Sequence, residues 1–277
     1  MPTTRYLPLL LTGLLPPLLI TACAHDDPAA RANVLLLGEA HDNGDGHRLR
    51  TEALQLRIDQ GWRPAIAMEQ FDREQQAALD TAMRECRDAD CVVARVAPGK
   101  SGWLWPFYKP VITLALDYGL PVLAANLSRA DAGKVINGGF DTVLNAEVRS
   151  RYGLDAALPA NLLAAQAEQV RTGHCNMLPA QMLEPMARAQ IARDVVMAET
   201  LRPHVLRGVV LIAGNGHVRR DIAVPYWLRA LGVPNWSVGY LEQRAAAGRF
   251  DAQQAIPAIT RPDLCASLGK MKGKEAG

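Results

Sequence analysis

Two tetrapeptides share one pattern. Gly38-Glu39-Ala40-His41 and Gly214-Asn215-Gly216-His217 each follow an apolar run, "VLLL" and "VVLIA". The glycine allows a sharp turn or a close backbone approach. The histidine three residues on is then presented at the tip of the run. Histidine is a frequent metal ligand and the natural acid or base near neutral pH. Two more apolar runs end in polar groups: "AIAM" in Glu69 and Gln70, and "VLAA" in Asn126, with Arg129 just beyond. Three chemistries fit His41 and His217: a metal pair, a general base with its orienting partner, or structural hydrogen-bonders that fix loops. With carboxylates nearby, a divalent ion held by His41, Glu69 and His217 is chemically reasonable. Read as a catalytic set, the same region offers His41, Glu39, Glu69 and His217. His47, past the loop "DNGDG", is either a third ligand or a surface group. That loop lacks the spacing and closing glutamate of a calcium loop.

Ligands of open parallel sheets bind beyond the carboxyl ends of the strands. These residues therefore make sense together if their apolar runs are neighbouring strands. "NVLLLGEAH", "PAIAMEQF", "LPVLAANLS" and "GVVLIAGNGHV" read as strands of the continuous apolar kind that is buried on both faces, and "NWSVGYLEQ" as a fifth strand. Helical stretches lie between them. "HRLRTEALQLRIDQGW" has Leu49, Ala53 and Leu56 at helical spacing, with Gly61 as a stop. "DREQQAALDTAMREC" starts at Asp72 with Gln75 three residues on, a capping box. "FYKPVITLALDYG" reads as a helix, and a short one is expected over 221–231. The longest helix opens at "LEPMARAQIARDVV", with Pro185 in its first turn. Gln190 and Asp194 sit four apart on one of its faces, beside Arg193, and line the pocket. Residues 92–106 and the tail after 247 show little pattern. The alternation predicts an α/β fold, with a mainly parallel central sheet flanked by helices. A helix-rich insertion at about 130–206 is expected over the sheet edge.

The first residues belong to a different class. "MPTTRYLPLLLTGLLPPLLITAC" has a basic residue, an apolar run broken by prolines, and small residues before Cys23, which is a signal-peptide pattern. Its ending resembles the lipobox of bacterial lipoproteins, in which the cysteine is acylated. The expected organisation is a leader over 1–22, a lipid-anchored tether over 23–32 and a single domain over 33–277. Ala24 after Cys23 gives no inner-membrane retention signal, so the resemblance implies the outer membrane, on its periplasmic side. The other reading is an ordinary secreted protein cut near Ala22. A net charge of +2 gives no case for nucleic acid, and a 49% hydrophobic composition none for disorder. Beyond Cys23 an even set of cysteines remains, which in an oxidising compartment reads as disulfides. Three pairings are open. Cys86–Cys91 is the economical one, which leaves Cys175–Cys265.

The chain resembles the ChaN-like haem-binding lipoproteins, within the haem-binding uptake and Tiki grouping. The residues that carry the resemblance are "LLLGEAHDN", "AMEQF", "WPFYKPVI", "LPVLAANLSR", "GHCNMLP", "ARAQIARDVVMA" and "GNGHVRRDIAVPYWL". The resemblance implies haem binding linked to iron acquisition, by a binding protein rather than a catalyst. It also implies that relatives in the wider grouping, among them metal-dependent proteases and erythromycin-esterase-type hydrolases, use the Gly-x-x-His histidine. A metal-dependent hydrolase or protease is thus the alternative reading. Haem needs an apolar slot, axial ligands and cations for its propionates. "RTGHCNMLPAQM" offers Arg171, His174, Met177 and Met182, and "WPFYKP" offers Tyr108 with Lys109 beside it for a propionate. His174 and Tyr108 are the rival axial ligands, with packing or capping roles as the plainer readings. A flat ligand in an exposed slot favours a haem-linked homodimer, and an outer-membrane haem receptor is a further expected partner.

Overall fold

The structure is a computed structural model and describes residues 1, 31–99, 102–263 and 265–266. Cys23, the leader and the tether up to residue 30 lie outside the described residues, apart from Met1. No helix among the described residues is long and apolar enough to cross a membrane.

Six strands form one parallel sheet. They are β1 (Val34–Leu37), β2 (Ala65–Asp72), β3 (Val122–Asn126), β4 (Val209–Ile212), β5 (Trp236–Leu241) and β6 (Ala252–Ala255), in the spatial order β3-β2-β4-β1-β5-β6. Period-two side-chain alternation gives the sheet two apolar faces. Val34, Leu36, Ala65, Ala67, Val209 and Leu211 face one core. Leu35, Leu37, Ile66, Met68, Val210 and Ile212 face the other. Helices cover both faces, which is why these strands read as unbroken apolar runs.

The second face is covered by α1 (Gly44–Asp59), α2 (Gln76–Glu85), α3 (Ala89–Val96) and α4 (Lys109–Asp117). The first is covered by α5 (Arg129–Gly138), α8 (Ala180–Leu201) and α9 (Val224–Ala230), with α6 (Ala146–Arg151) and α7 (Ala160–Gly173) in the same segment. The helix-rich stretch thus lies over a face of the sheet and not over its edge. The reason is α8, whose second half is buried almost all round and packs on β2, β3 and β4. Pro185 lies inside α8 and not in its first turn, because the helix opens earlier, at Ala180.

The buried stripe of α1 also differs from the expected one. Gly46, His47, Arg50, Leu54 and Ile58 face inward. Leu56 is 59% exposed. Two polar residues hold inward positions, so the apolar spacing pointed to the wrong face. Asn43 caps α1, its side chain accepting from the Gly46 N–H at 3.0 Å. The capping box at Asp72 is formed, with the Asp72 N–H donating to Gln75 Oε1 at 2.7 Å. Two elements fall where no pattern was visible: α3, capped by Asp88, and β6, parallel to β5 in the register Val238↔Ala252.

Both expected disulfides are formed, Cys86–Cys91 and Cys175–Cys265. The second joins residues 90 apart and stabilises by about 4–5 kcal/mol in the chain-entropy account. On its way to Cys265 the tail crosses the ends of β1 and β5. Asn43 Nδ2 donates to the Pro257 carbonyl at 2.8 Å. Arg261 ion-pairs with Asp42 and Glu242, each at 2.6 Å. These contacts push the Asp42 carboxyl below its usual range and the Glu242 carboxyl down to about 2, through the hydrogen bonds from Arg261.

Candidate functional site

The register sets the site. β1 pairs with β4 at Leu37↔Ile212, and β2 pairs with β4 at Met68↔Ile212. Glu39, Glu69 and the Gly214 turn therefore lie side by side just beyond the last β4 pairs. The β1–β4 ladder extends into both motifs, with Asn215 N–H donating to the Glu39 carbonyl at 2.9 Å. The two glycines are there for close approach. A Cβ at Gly38 would meet Asn215 Oδ1 at 2.2 Å, and one at Gly214 would meet the His41 ring at 2.9 Å. Asn215 is structural: its Nδ2 donates to the Tyr240 carbonyl at 2.7 Å and ties the turn to β5.

Glu39 is the hub of the first half. It is 2% exposed. Its Oε1 accepts from Tyr108 Oη at 2.7 Å, His41 Nδ1 at 2.9 Å and Gln70 Nε2 at 3.3 Å. Its Oε2 forms an ion pair with Arg50. An oxygen that receives so many donors belongs to an ionised carboxylate. Burial lowers the Arg50 guanidinium to about 10, so it stays charged at neutral pH and balances Glu39. His47 is neither a ligand nor a surface group. Arg50 Nη2 can only donate, so the His47 Nδ1 at 3.0 Å accepts, and the His47 Nε2–H donates to the His41 carbonyl at 3.1 Å. Both nitrogens are used, and burial pushes its pKa down, which keeps it neutral.

The second half is built on His217. Its Nδ1 donates to Asp194 Oδ1 at 2.6 Å, and its Nε2 lies 3.5 Å from Glu69 Oε1. Glu69 Oε2 accepts from the Gly214 N–H at 2.7 Å. Asp194 Oδ2 accepts from Gln166 Nε2 at 3.0 Å. Asp194 thus turns to His217 and Gln166, and Gln190, half-buried one turn earlier on α8, is not its partner. Burial raises the Asp194 carboxyl to about 6, against the pull of His217. Burial by itself would lower the His217 pKa, but the charges of Glu69 and Asp194 outweigh it and the net shift is upward.

A Cβ at Gly214 would meet His41 Nε2 at 2.9 Å and Glu69 Oε2 at 3.6 Å, so residues 39, 41, 69 and 217 do share one cluster. Among the described residues no group of three or more His, Cys, Asp or Glu side chains is placed to hold an ion. The physical reason is that the expected ligands are spent on one another: His217 lies between two carboxylates, Glu69 holds the Gly214 amide, and Glu39 holds Arg50. His41 is the open member, its side chain half exposed and its ring 5.1 Å from that of Trp103. Beside it lies a concavity of about 290 Å³ lined by Asp72, Gly102, Trp103, Asn126, Arg129 and Arg193.

The expected haem ligands fall in two places. Tyr108 is fully buried, its hydroxyl is held by Glu39, and burial pushes the phenol above its ordinary range. An iron atom has no approach to that oxygen in this arrangement. Lys109 is turned to Asp90 on α3. His174 is exposed where α7 ends. Its Nδ1–H donates to the Val170 carbonyl at 2.7 Å, so Nδ1 is the committed ring nitrogen. Met177 lies in the same turn, its N–H donating to the His174 carbonyl at 3.0 Å. Arg171 pairs with Glu168 at 2.6 Å and with Asn176. Cys175 and Asn176 both have positive φ, 58° and 57°, and the Cys175–Cys265 bond fixes this turn.

Sequence reasoning missed Arg50, Gln166 and Trp103. For Arg50 a signal existed: it lies three residues after His47 and four before Leu54, on the stripe that is buried.

Comparison with known proteins agrees with this architecture. ChaN of Campylobacter jejuni, solved with cofacial haem, superposes with a TM-score of 0.66 at 21% identity, covering 80% of this chain and 86% of that one. At that identity the match establishes the fold. An erythromycin esterase mutant in its open conformation gives a TM-score of 0.42 at 11% identity, covering 77% and 71%. The type III effector HopBA1 gives 0.44 at 11%, covering 82% and 90%. No curated protein matches the sequence significantly. The family described as haem-binding uptake, Tiki superfamily, ChaN matches residues 27–228, most of the described chain, and the protein belongs to it.

Proposed function

We propose that this chain is an outer-membrane-anchored lipoprotein, facing the periplasm, that holds haem during iron acquisition. Membership of the haem-binding uptake family carries the reading. Anchoring through Cys23 is supported by the residues before it, a basic start, an apolar run and a small-residue ending. Replacing Cys23 by alanine is expected to move the protein from the membrane to the soluble fraction and to end acylation.

His174 is the favoured axial ligand. Metal-bound histidines usually donate the second ring nitrogen to a carbonyl or carboxylate, which fixes the tautomer and raises basicity. The His174–Val170 bond does this in the free protein. The disulfide at Cys175 holds the turn and takes the thiol out of coordination. The cofacial haem of the Campylobacter jejuni protein, carried over to this chain, would place two stacked haems between two copies and explain an exposed ligand. Hemin titration tests the reading. The Soret band is expected to shift with wild type and with Tyr108→Phe, and to lose most of that shift with His174→Ala. A spectrum that remains that of free hemin with wild type would end the haem reading.

One arrangement favours a second reading, hydrolysis. A half-exposed histidine held by a buried carboxylate has the geometry of a general base with its orienting group. His41 and Glu39 have it. Any hydrolytic activity is then expected to fall at least a hundredfold in His41→Ala, and survival of activity would remove this reading.

A further inference from the structure

Two buried polar atoms without a partner, on different elements, belong to residues that line one concavity at this sheet edge. Asn126, at the end of β3, is 7% exposed. Its Nδ2 donates to Asp72 Oδ1 at 3.1 Å. A carboxylate only accepts, so this orientation is fixed and Oδ1 is left over, buried without a partner. On α8 the Nε of Arg193 is likewise buried without a partner. Both residues line the 290 Å³ concavity beside His41, and the exposed guanidinium of Arg129 stands at its rim. Buried polar groups are almost always hydrogen-bonded, and leaving one unmade is costly. Two in one pocket call for a ligand.

The chemistry of the wall defines that ligand. Guanidinium groups are forks of donors that match carboxylate and phosphate oxygens. Asn126 Oδ1 asks for the opposite, a hydroxyl or amine. The pocket also lies at the N-terminus of the ten-residue helix α5, where an anion is favoured. The facing acid is Asp72, whose carboxyl is raised by burial and by the charge of Glu74. We propose that this pocket is an oxyanion site: Arg193 and Arg129 hold a carboxylate or phosphate group, and Asn126 Oδ1 accepts from a hydroxyl or amine of the same ligand. Trp103 walls one side and, through its contact with His41, brings the bound group next to that ring. The site shares no residue with the His174 turn. A carboxylate has two sources here, a free small acid or a haem propionate.

The full chain is titrated calorimetrically at constant ionic strength with citrate, with inorganic phosphate and with hemin, the last also as its dimethyl ester. Citrate, which carries carboxylates and a hydroxyl, is expected to bind wild type and to compete with phosphate. Its affinity should fall at least tenfold in Arg193→Gln, about threefold in Arg129→Gln, and stay unchanged in Arg48→Gln, which lies on α1 and pairs with Glu52. Hemin binding that weakens equally in Arg193→Gln and on esterification assigns the pocket to a propionate. Hemin binding that ignores both while citrate obeys them assigns it to a free acid. If Arg193→Gln does not fold, Arg193→Lys and the competition on wild type serve instead: charge kept with the fork lost should still weaken citrate. Binding of citrate, phosphate and hemin that is absent, or indifferent to Arg193, overturns the proposal.

Discussion

The two Gly-x-x-His motifs are alike on paper and opposite in the fold. After β1, His41 stands half exposed on a buried carboxylate. After β4, His217 is enclosed between Asp194 and Glu69. The difference lies in what arrives from elsewhere. At Glu39 a guanidinium from α1 neutralises the carboxylate, so the attached histidine is free to face the mouth. At His217 two carboxylates arrive, and the imidazole bonds to one and lies 3.5 Å from the other, their charges raising its pKa. Identical spacing therefore yields one presented group and one structural group, and the helices packed behind each strand decide which.

The comparison can be broken most severely at Arg50. Arg50→Met removes the counter-charge and leaves Glu39 buried and unpaired, a change worth about 3–5 kcal/mol. A urea midpoint that barely moves would mean that Glu39 is balanced some other way. Next, the two histidines should separate. His217→Ala strands Asp194 and Glu69 and is expected to cost about 2 kcal/mol. His41→Ala should change stability by less than about 0.5 kcal/mol. Equal costs in thermal unfolding would erase the distinction. The smallest effect lies at the rim. Arg261→Ala should cost about 1 kcal/mol at neutral pH. Its sign with pH follows from the depressed Glu242 carboxyl. The stabilisation is fully present above the unfolded value of about 4.3 and is lost as pH falls towards 2. The gap between wild type and Arg261→Ala should therefore close over that window, and a gap that persists at pH 2 would point to packing instead.

Much of the first half of this picture was legible in the sequence. Unbroken apolar runs named four of the strands, and the residues after them named the cluster. Cysteine economy named both disulfides. What the sequence hid shares one physical cause: the deciding partner was distant or the signal was carried by backbone. Arg50 looks like one more charge on a solvated helix until β1 brings Glu39 under it. Asp194 was paired with a neighbour on its own helix, while its true partner lies 23 residues on. Tyr108 reads as a presented phenol and is sealed against Glu39. β6 is half-buried to exposed, and its pairing with β5 is made by main-chain groups, so "AQQA" carries no apolar alternation. The expected metal ligands show the same cause, since spacing counts ligands but not the bonds they already make to one another.

The bond between Cys175 and Cys265 turns the last third of the chain into a closed ring that contains β4, β5 and β6. A peptidase that cuts once anywhere between residues 176 and 264 would release no fragment. The nicked product would run as one species until a reductant divided it, so a non-reducing gel alone would not reveal the damage.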